Sequence, residues 1–303
     1  MSDSNRVKLS LIEESAWGKT PATPTFITTR HTGESLSYDI ATTKSTEIRS
    51  DRNTSDLVTT DYTVSGGFDF EWSFSTFDEI LESALFGAWA TNVLKNGTTE
   101  KSFSIERGHL DIAEYFLYTG MVVDTFSMDI SAGSIITGAF GFTGEVATLT
   151  QATAATTLTA ASVTNIMSAM TNVANIKENN VALTGVFVNK LSFNVANSMR
   201  PIKALGSTGA VDLGVGSFDC GGTLELYFAN DTIYDKFIAG TASTLEFQTK
   251  SGDDIYTFKF PKVKFSSDKV NSGGLNSDVM EVVGWEALYD ATALCSMQIT
   301  RTA

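Results

Sequence analysis

Cysteine and histidine are nearly missing from this chain, and each scarcity removes a class of explanation. Two cysteines, Cys220 and Cys295, in 303 residues cannot build the disulfide framework of a small secreted domain. They stand at no metal-ligand spacing either, so both read as small buried hydrophobes. The only histidines are His31 and His109, and neither has a second histidine at zinc-ligand spacing. No metal and no cofactor is expected. Positive charge is also short: 21 Lys and Arg stand against 35 Asp and Glu, a net −14. That argues against attractive nucleic-acid binding, which needs a basic face. It leaves room for a surface that nucleic acid must pass without sticking. Long apolar runs are absent as well. The start, MSDSNRVKLSLIEES, lacks the apolar core of a signal peptide. The uncharged run Val146–Ile176 is too rich in Thr, Ser, Asn and Gln to cross a membrane.

Catalytic motifs are missing too. There is no G-x-S-x-G elbow and no P-loop. LGSTGAVDLGVG (205–216) lacks the Lys-Ser/Thr of a P-loop and reads as a flexible connection. Ser251, Gly252, Asp253 and Asp254 offer too few ligands for calcium and read as an acidic hairpin tip. The chain is not expected to be an enzyme.

What is present centres on GGFDFEWSFSTFDEILESALFG, Gly66 to Gly87. Phe68, Phe70, Trp72 and Phe74 alternate with Asp69, Glu71 and Ser73, which is a strand with one dry face. Thr76 with Glu79 three residues later spells a capping box. Phe77, Ile80, Leu81, Ala84 and Leu85 then form one helical stripe, and Gly87 stands at a helix stop. A similar unit follows later. Gly221-Gly222 leads to Leu224, Leu226 and Phe228 in alternation; Asn230 and Asp231 supply caps; Ile233 and Phe237 share a helix face; Gly240 closes the turn. Upstream, LSYDIA (36–41) matches LSFNVA (191–196), and Ile48-Arg49 matches Ile202-Lys203. Downstream, Tyr115–Gly133 resembles Tyr256–Gly274. The common order implies one domain written twice, in agreement with a length of about 150 residues per domain. The expected fold is mainly β: two tandem sandwich or barrel domains, each with one short flanking helix. The expected boundaries are an extended arm at 1–35, broken by Pro21 and Pro24, a first domain at 36–145, a linker at 146–185 and a second domain at 186–303.

The polar segment Thr42–Asp61 is long for a loop inside a compact domain. Its Glu47, Arg49, Asp51, Arg52 and Asp56 are expected to form a projecting surface that meets a neighbour through ion pairs. The second copy has lost most of this charge.

Three stretches, GKTPATPTF in the arm, KSTEIRSDR in the loop and GGFDFEWSFSTFDEILESALFG, together resemble the major tail tube proteins of long non-contractile-tailed bacteriophages. The likeness spans about residues 5 to 145 and reaches the rest through the repeat. It implies a structural virion protein, assembled in the host cytoplasm into stacked rings through which genomic DNA leaves the capsid. The partners it implies are other copies of the chain, the tape measure protein, and tail terminator or distal tail proteins, with no membrane. Double-stranded DNA would pass through without adhering. Many members assemble as hexamers of a single tube domain; two domains per chain would make the ring a trimer with pseudo-sixfold symmetry. By position, Thr42–Asp61 and the arm would lock one ring on the next.

Two other functions compete. One is a non-phage β-sandwich assembly or glycan-binding surface protein, against which the missing export signal counts. The other is a glycosidase using Asp69 and Glu71, although acids on the wet face of a strand are usually just solvated.

Overall fold

Period-two alternation dominates the sequence, and in the computed structural model nearly all of it becomes antiparallel strand. The structure describes residues 1–183 and 185–302. In the first half the main elements are β1 (Val7–Glu13), β2 (Thr25–Thr28), β3 (Ser37–Lys44), β4 (Leu57–Glu71), helix α1 (Asp78–Leu85), β5 (Phe103–His109), β6 (Glu114–Ser131), β7 (Thr137–Gly144) and β8 (Val146–Thr150). The second half has β9 (Val173–Glu178), β10 (Val188–Ala196), β11 (Asp219–Tyr227), helix α2 (Thr232–Ala239), β12 (Ser243–Ser251), β13 (Asp254–Ser272), β14 (Val279–Ala287) and β15 (Gln298–Thr302). Among the described residues no helix is long and apolar enough to cross a membrane.

One large sheet runs through both halves. Its order from edge to edge is β3-β4-β7-β6-β10-β11-β14-β13, with every neighbour antiparallel. The strand order on either side of the β6–β10 joint is the same, and a helix follows the second strand each time. β6 and β13 also carry a bulge at matching places, Asp124 and Ser266. Both strands are long enough to leave the large sheet at their amino-terminal ends. There β6 lies between β5 and β8, and β13 lies between β12 and β15. Two smaller sheets result, β2-β1-β5-β6-β8 and β9-β12-β13-β15. Gly120 makes the crossing in β6: its φ is +67°, and a Cβ there would lie 2.8 Å from that of Glu145. In β13 the crossing falls at Pro261, between the residues paired with β15 and those paired with β14, a place where no ladder N–H is needed.

The halves share one core. Phe193 of β10 packs on Phe126 of β6 (5.4 Å between ring centroids) and on Phe258 of β13 (5.8 Å). Trp72, at the end of the first half's β4, lies 5.3 Å from Tyr256, and its indole N–H donates to Thr249 Oγ1 at 3.0 Å. Asp78, opening α1, accepts from the Tyr256 hydroxyl and is paired with Arg301. The mainly β sandwich with a short helix in each half follows the alternation read from the sequence, but several local expectations change.

The segment 1–35 is a structural part of the sandwich. β1 pairs with β5 along its whole length, and Leu9, Leu11 and Phe26 are buried. Glu14 ties the turn that follows to β5 and β6 through four hydrogen bonds. The segment 146–185 supplies β8 to the first half and β9 to the second. The capping box is not made: the Thr76 hydroxyl bonds Ser73 and Thr164, and α1 begins at Asp78 without a side-chain cap. Its end is carried by Phe86 at φ 49°, one residue before Gly87. Phe228, expected in the core, lies past the end of β11 and is 39% exposed; Phe237 is half-buried.

Candidate assembly surfaces

Two features of the large sheet stand out: its edges and its outer face. Among the described residues, β3 and the carboxy-terminal part of β13 each pair on one side only. Each therefore presents a row of unpaired backbone N–H and C=O groups, a template for pairing with another chain. The β6–β10 joint shows how such strands meet inside the molecule. It runs in unbroken register from Lys190/Ser131 to Ala196/Thr125, with Leu191/Ile130, Phe193/Met128 and Val195/Phe126 meeting on the core side. Cross-strand apolar pairs of this kind are the unit of sheet stabilisation.

The ladder fixes which residues of the two halves correspond. The bulges align Thr125 with Ser267, and these face Gly141 and Gly284. The next strands align Gly66 with Gly222, and a Cβ on either would strike the carbonyl of a serine on the outer strand, Ser35 at 2.2 Å or Ser192 at 2.0 Å. Only glycine fits so close a backbone approach. Ser35 therefore takes the place of Ser192, and Leu36 the place of Phe193, two residues on from the LSYDIA/LSFNVA match.

Successive residues of a strand point to opposite sides, so the face turned away from the core is readable from burial. It carries Asp69 and Glu71 on β4, Asp129 on β6, Glu225 on β11 and Glu286 on β14. Lys190 pairs with Asp129 at 2.5 Å, and Lys264 stands opposite Glu286. Between these charges the side chains are small: Gly67, Ala139, Gly141, Ser127, Ser192, Gly221, Thr223 and Gly284. A shallow concavity of about 610 Å³ spans the two halves here, lined in part by Asp69, Ser127, Asp129 and Thr223. The aromatic residues of β4 point the other way. Phe68, Phe70 and Trp72 are at most 2% exposed and Phe74 is 8% exposed, so they make no stacking platform for bases. Ile80, Leu81, Leu85, Leu224, Leu226 and Ile233 are buried with them.

The polar segment 42–61 is a hairpin: Thr42–Lys44 extend β3, Leu57–Asp61 begin β4, and 45–56 form the tip. At the tip Arg49 forks onto Asp51, with Nε to Oδ1 at 3.1 Å and Nη2 to Oδ2 at 2.8 Å, and lies 4.0 Å from Glu47. The Arg49 guanidinium holds the exposed Asp51 carboxyl below its ordinary value. Arg52 turns the chain at φ 60°, and Asp56 closes the tip through its carbonyl to Ser45 N–H. The structure thus groups Glu47, Arg49 and Asp51; Arg52 and Asp56 serve the backbone turn. Ile48 (99% exposed), Leu57 and Val58 add apolar surface along the hairpin.

That a sandwich has open edges to share was expected, but which strands form them escaped sequence reading, because a strand's pattern is the same with or without a second neighbour. The repeated Gly-Gly pair was the available signal, since it marks the strand next to each outer one. Residues 4–287 match the phage tail tube protein family. No curated protein matches the chain significantly.

Proposed function

Because the chain belongs to the phage tail tube protein family, whose members are structural virion components that assemble with themselves and with other tail proteins, we propose that three copies close into a ring around a channel for the viral DNA. The observation that carries this reading is the β6–β10 joint. It joins two four-stranded halves of the same strand order. The strands left open at the ends, β13 and β3, are the counterparts of β6 and β10. Repeating the internal joint between chains pairs β13 of one copy with β3 of the next. Three chains of eight strands then make one closed barrel of 24 strands. Closure removes every open edge, and each chain acts as a duplicated tube domain in a pseudo-sixfold ring.

In this arrangement the polar outer face of the sheet becomes the wall of the bore. Duplex DNA carries one phosphate per ~1.7 Å of its axis and would adhere to a basic wall. A wall of small side chains with excess carboxylate repels it and leaves it mobile. The hairpin tip extends past the sheet, and it supplies the contact that stacks one ring on the next. The amino-terminal segment, tied into the sandwich by β1 and Glu14, is left out of that contact. The tape measure protein would occupy the bore before the DNA, and terminator and distal tail proteins would meet the two end rings.

Native mass spectrometry and top-view image averages of the purified chain test the reading. Rings with the mass of three 32.6 kDa chains and sixfold-like top views are expected. A ring of six chains overturns the trimer, and a chain that stays monomeric at high concentration overturns ring formation altogether.

A further inference from the structure

At the open edge formed by β13, the core side of the sheet ends in two acids. Asp268 on β13 and Glu281 on β14 face each other beneath the edge. Both carboxylate oxygens of Asp268 and Oε1 of Glu281 are buried with no hydrogen-bond donor from outside the pair, and Glu281 is 2% exposed. Their ladder neighbours are apolar: Val283 lies opposite Asp268, while Val270 and Leu226 flank Glu281. α2, which packs on β13, commits its Lys236 to Glu178 on β9, and its Asp235 is exposed. Lys264 and Lys269 of β13 are exposed on the opposite face. Burial, the adjacent Asp268 charge and the hydrogen bond between the two carboxyls push Glu281 up to about 7, and burial raises Asp268 as well, so Glu281 is the member that holds a proton and donates it to Asp268. Buried polar atoms in native proteins nearly always have a partner; the proton shared within the pair serves one Asp268 oxygen, and the other still lacks a donor that the isolated chain does not supply.

The internal joint indicates what is lacking. Asp268 occupies the place that Phe126 holds in β6, and Phe126 stands opposite Val195 of β10. The residue of β3 in the place of Val195 is Tyr38. Tyr38 faces the core side, is half-buried, and stacks on Tyr62 at 5.4 Å. Partial burial raises its phenol above the ordinary value, so it stays a donor. On the other face the same register sets Lys269 diagonal to the partner's Asp39, a complementary charge pair.

Resting on the ring reading above, we propose that the Asp268–Glu281 carboxyl pair is a recognition site for a second copy of this chain, and that the partner's Tyr38 hydroxyl donates the hydrogen bond it lacks. The contact makes the joint between chains polar at the position where the joint within the chain is apolar. It also makes the bond directional, since only the β3 edge brings a phenol to the acids.

A double-mutant cycle on ring formation tests this. Tyr38→Phe removes only the hydroxyl, and it should raise the half-assembly concentration about tenfold per joint, the effect of one hydrogen bond to a charged or buried group. Asp268→Phe with Glu281→Leu makes this joint apolar, as the internal joint is, and should abolish that sensitivity: in this background Tyr38→Phe should change assembly less than twofold. Far-UV circular dichroism and thermal midpoints of the dissociated chains confirm that each variant folds. Should the acid-free pair fail to fold, Asp268→Asn, which keeps the shape, replaces it and should reduce the Tyr38→Phe effect by at least half. Wild-type rings with no response to Tyr38→Phe overturn the contact alone. A wild-type chain that forms no rings overturns the ring reading and the contact with it.

Discussion

Replacing Glu14 by alanine separates a structural amino-terminal segment from a loose one. The Glu14 carboxylate is 8% exposed. One oxygen accepts from Ser104 Oγ at 2.7 Å and Gly120 N–H at 2.9 Å; the other accepts from Ser102 Oγ at 2.7 Å and Gly18 N–H at 2.8 Å. In Glu14→Ala the two serine hydroxyls can rotate to other acceptors, but the two backbone N–H groups cannot. Each buried donor left unsatisfied costs about 1–3 kcal/mol, so the variant should lose roughly 4 kcal/mol, or about 3 if water enters the space. Glu14→Gln keeps one accepting oxygen and turns an NH2 toward the other two donors, so about half that loss is expected. Guanidinium denaturation followed by tryptophan fluorescence reads both, provided the slope with denaturant is unchanged. The order wild type, Gln, Ala in midpoint is the expected result. Midpoints within about 0.5 kcal/mol of wild type, the range of ordinary surface substitutions, would refute the reasoning. If such variants still failed to form tubes, the segment would act only after folding.

Three further outcomes follow from the same structure. Trp72→Phe removes the indole bond to Thr249 and part of the packing between halves; it should cost about 1–3 kcal/mol while calorimetry still shows one transition, and two separate transitions would contradict the shared core. Arg49→Glu with Arg52→Glu reverses charge at the exposed hairpin tip, so rings and thermal midpoint should be retained while stacking fails in electron micrographs; tubes of ordinary length would remove the hairpin from the mechanism. Asp69→Lys with Asp129→Lys makes the outer face of the large sheet basic, and the assembled tubes should retain duplex DNA at low salt and release it as salt rises; wild-type and variant tubes with equal DNA retention would disprove the placement of that face in the bore.

What the sequence could disclose depended on how local the determining physics was. β4 and α1 were legible because a period of two and a stripe at three and four are set by neighbours within a few residues, from Phe68 to Leu85. The capping box failed because the Thr76 hydroxyl is held by Ser73 at 2.6 Å, three residues back, and by Thr164 at 3.2 Å, in the stretch joining the halves; the second contact is one that no local pattern discloses. The first 35 residues read as an arm because their burial is owed to distant partners. Leu9 and Leu11 are covered only once β1 lies along β5, and three of the four partners of Glu14 stand 88 to 106 positions away. The carboxyl pair was hidden for the same reason, since Asp268 and Glu281 meet only across the β13–β14 ladder.

The difference between the two joints follows from what each must discriminate. Inside the chain, connectivity already brings β6 to β10, so an apolar seam of Phe126, Met128 and Ile130 against Val195, Phe193 and Leu191 is free to maximise burial. The outer edges meet partners by diffusion, where β13 against β13 or β3 against β3 would be equally easy for a bare apolar strand. A charge pointing inward at an edge penalises such pairings, because the incoming strand must leave the acid buried and unpaired. Asp268 imposes that penalty on every strand that brings no donor. In the proposed joint the partner's Tyr38 relieves it by pairing, whereas the Phe126 place in the internal joint needs no such test. In the proposed ring, an edge built this way would stay unreactive in the free chain and close only in head-to-tail order.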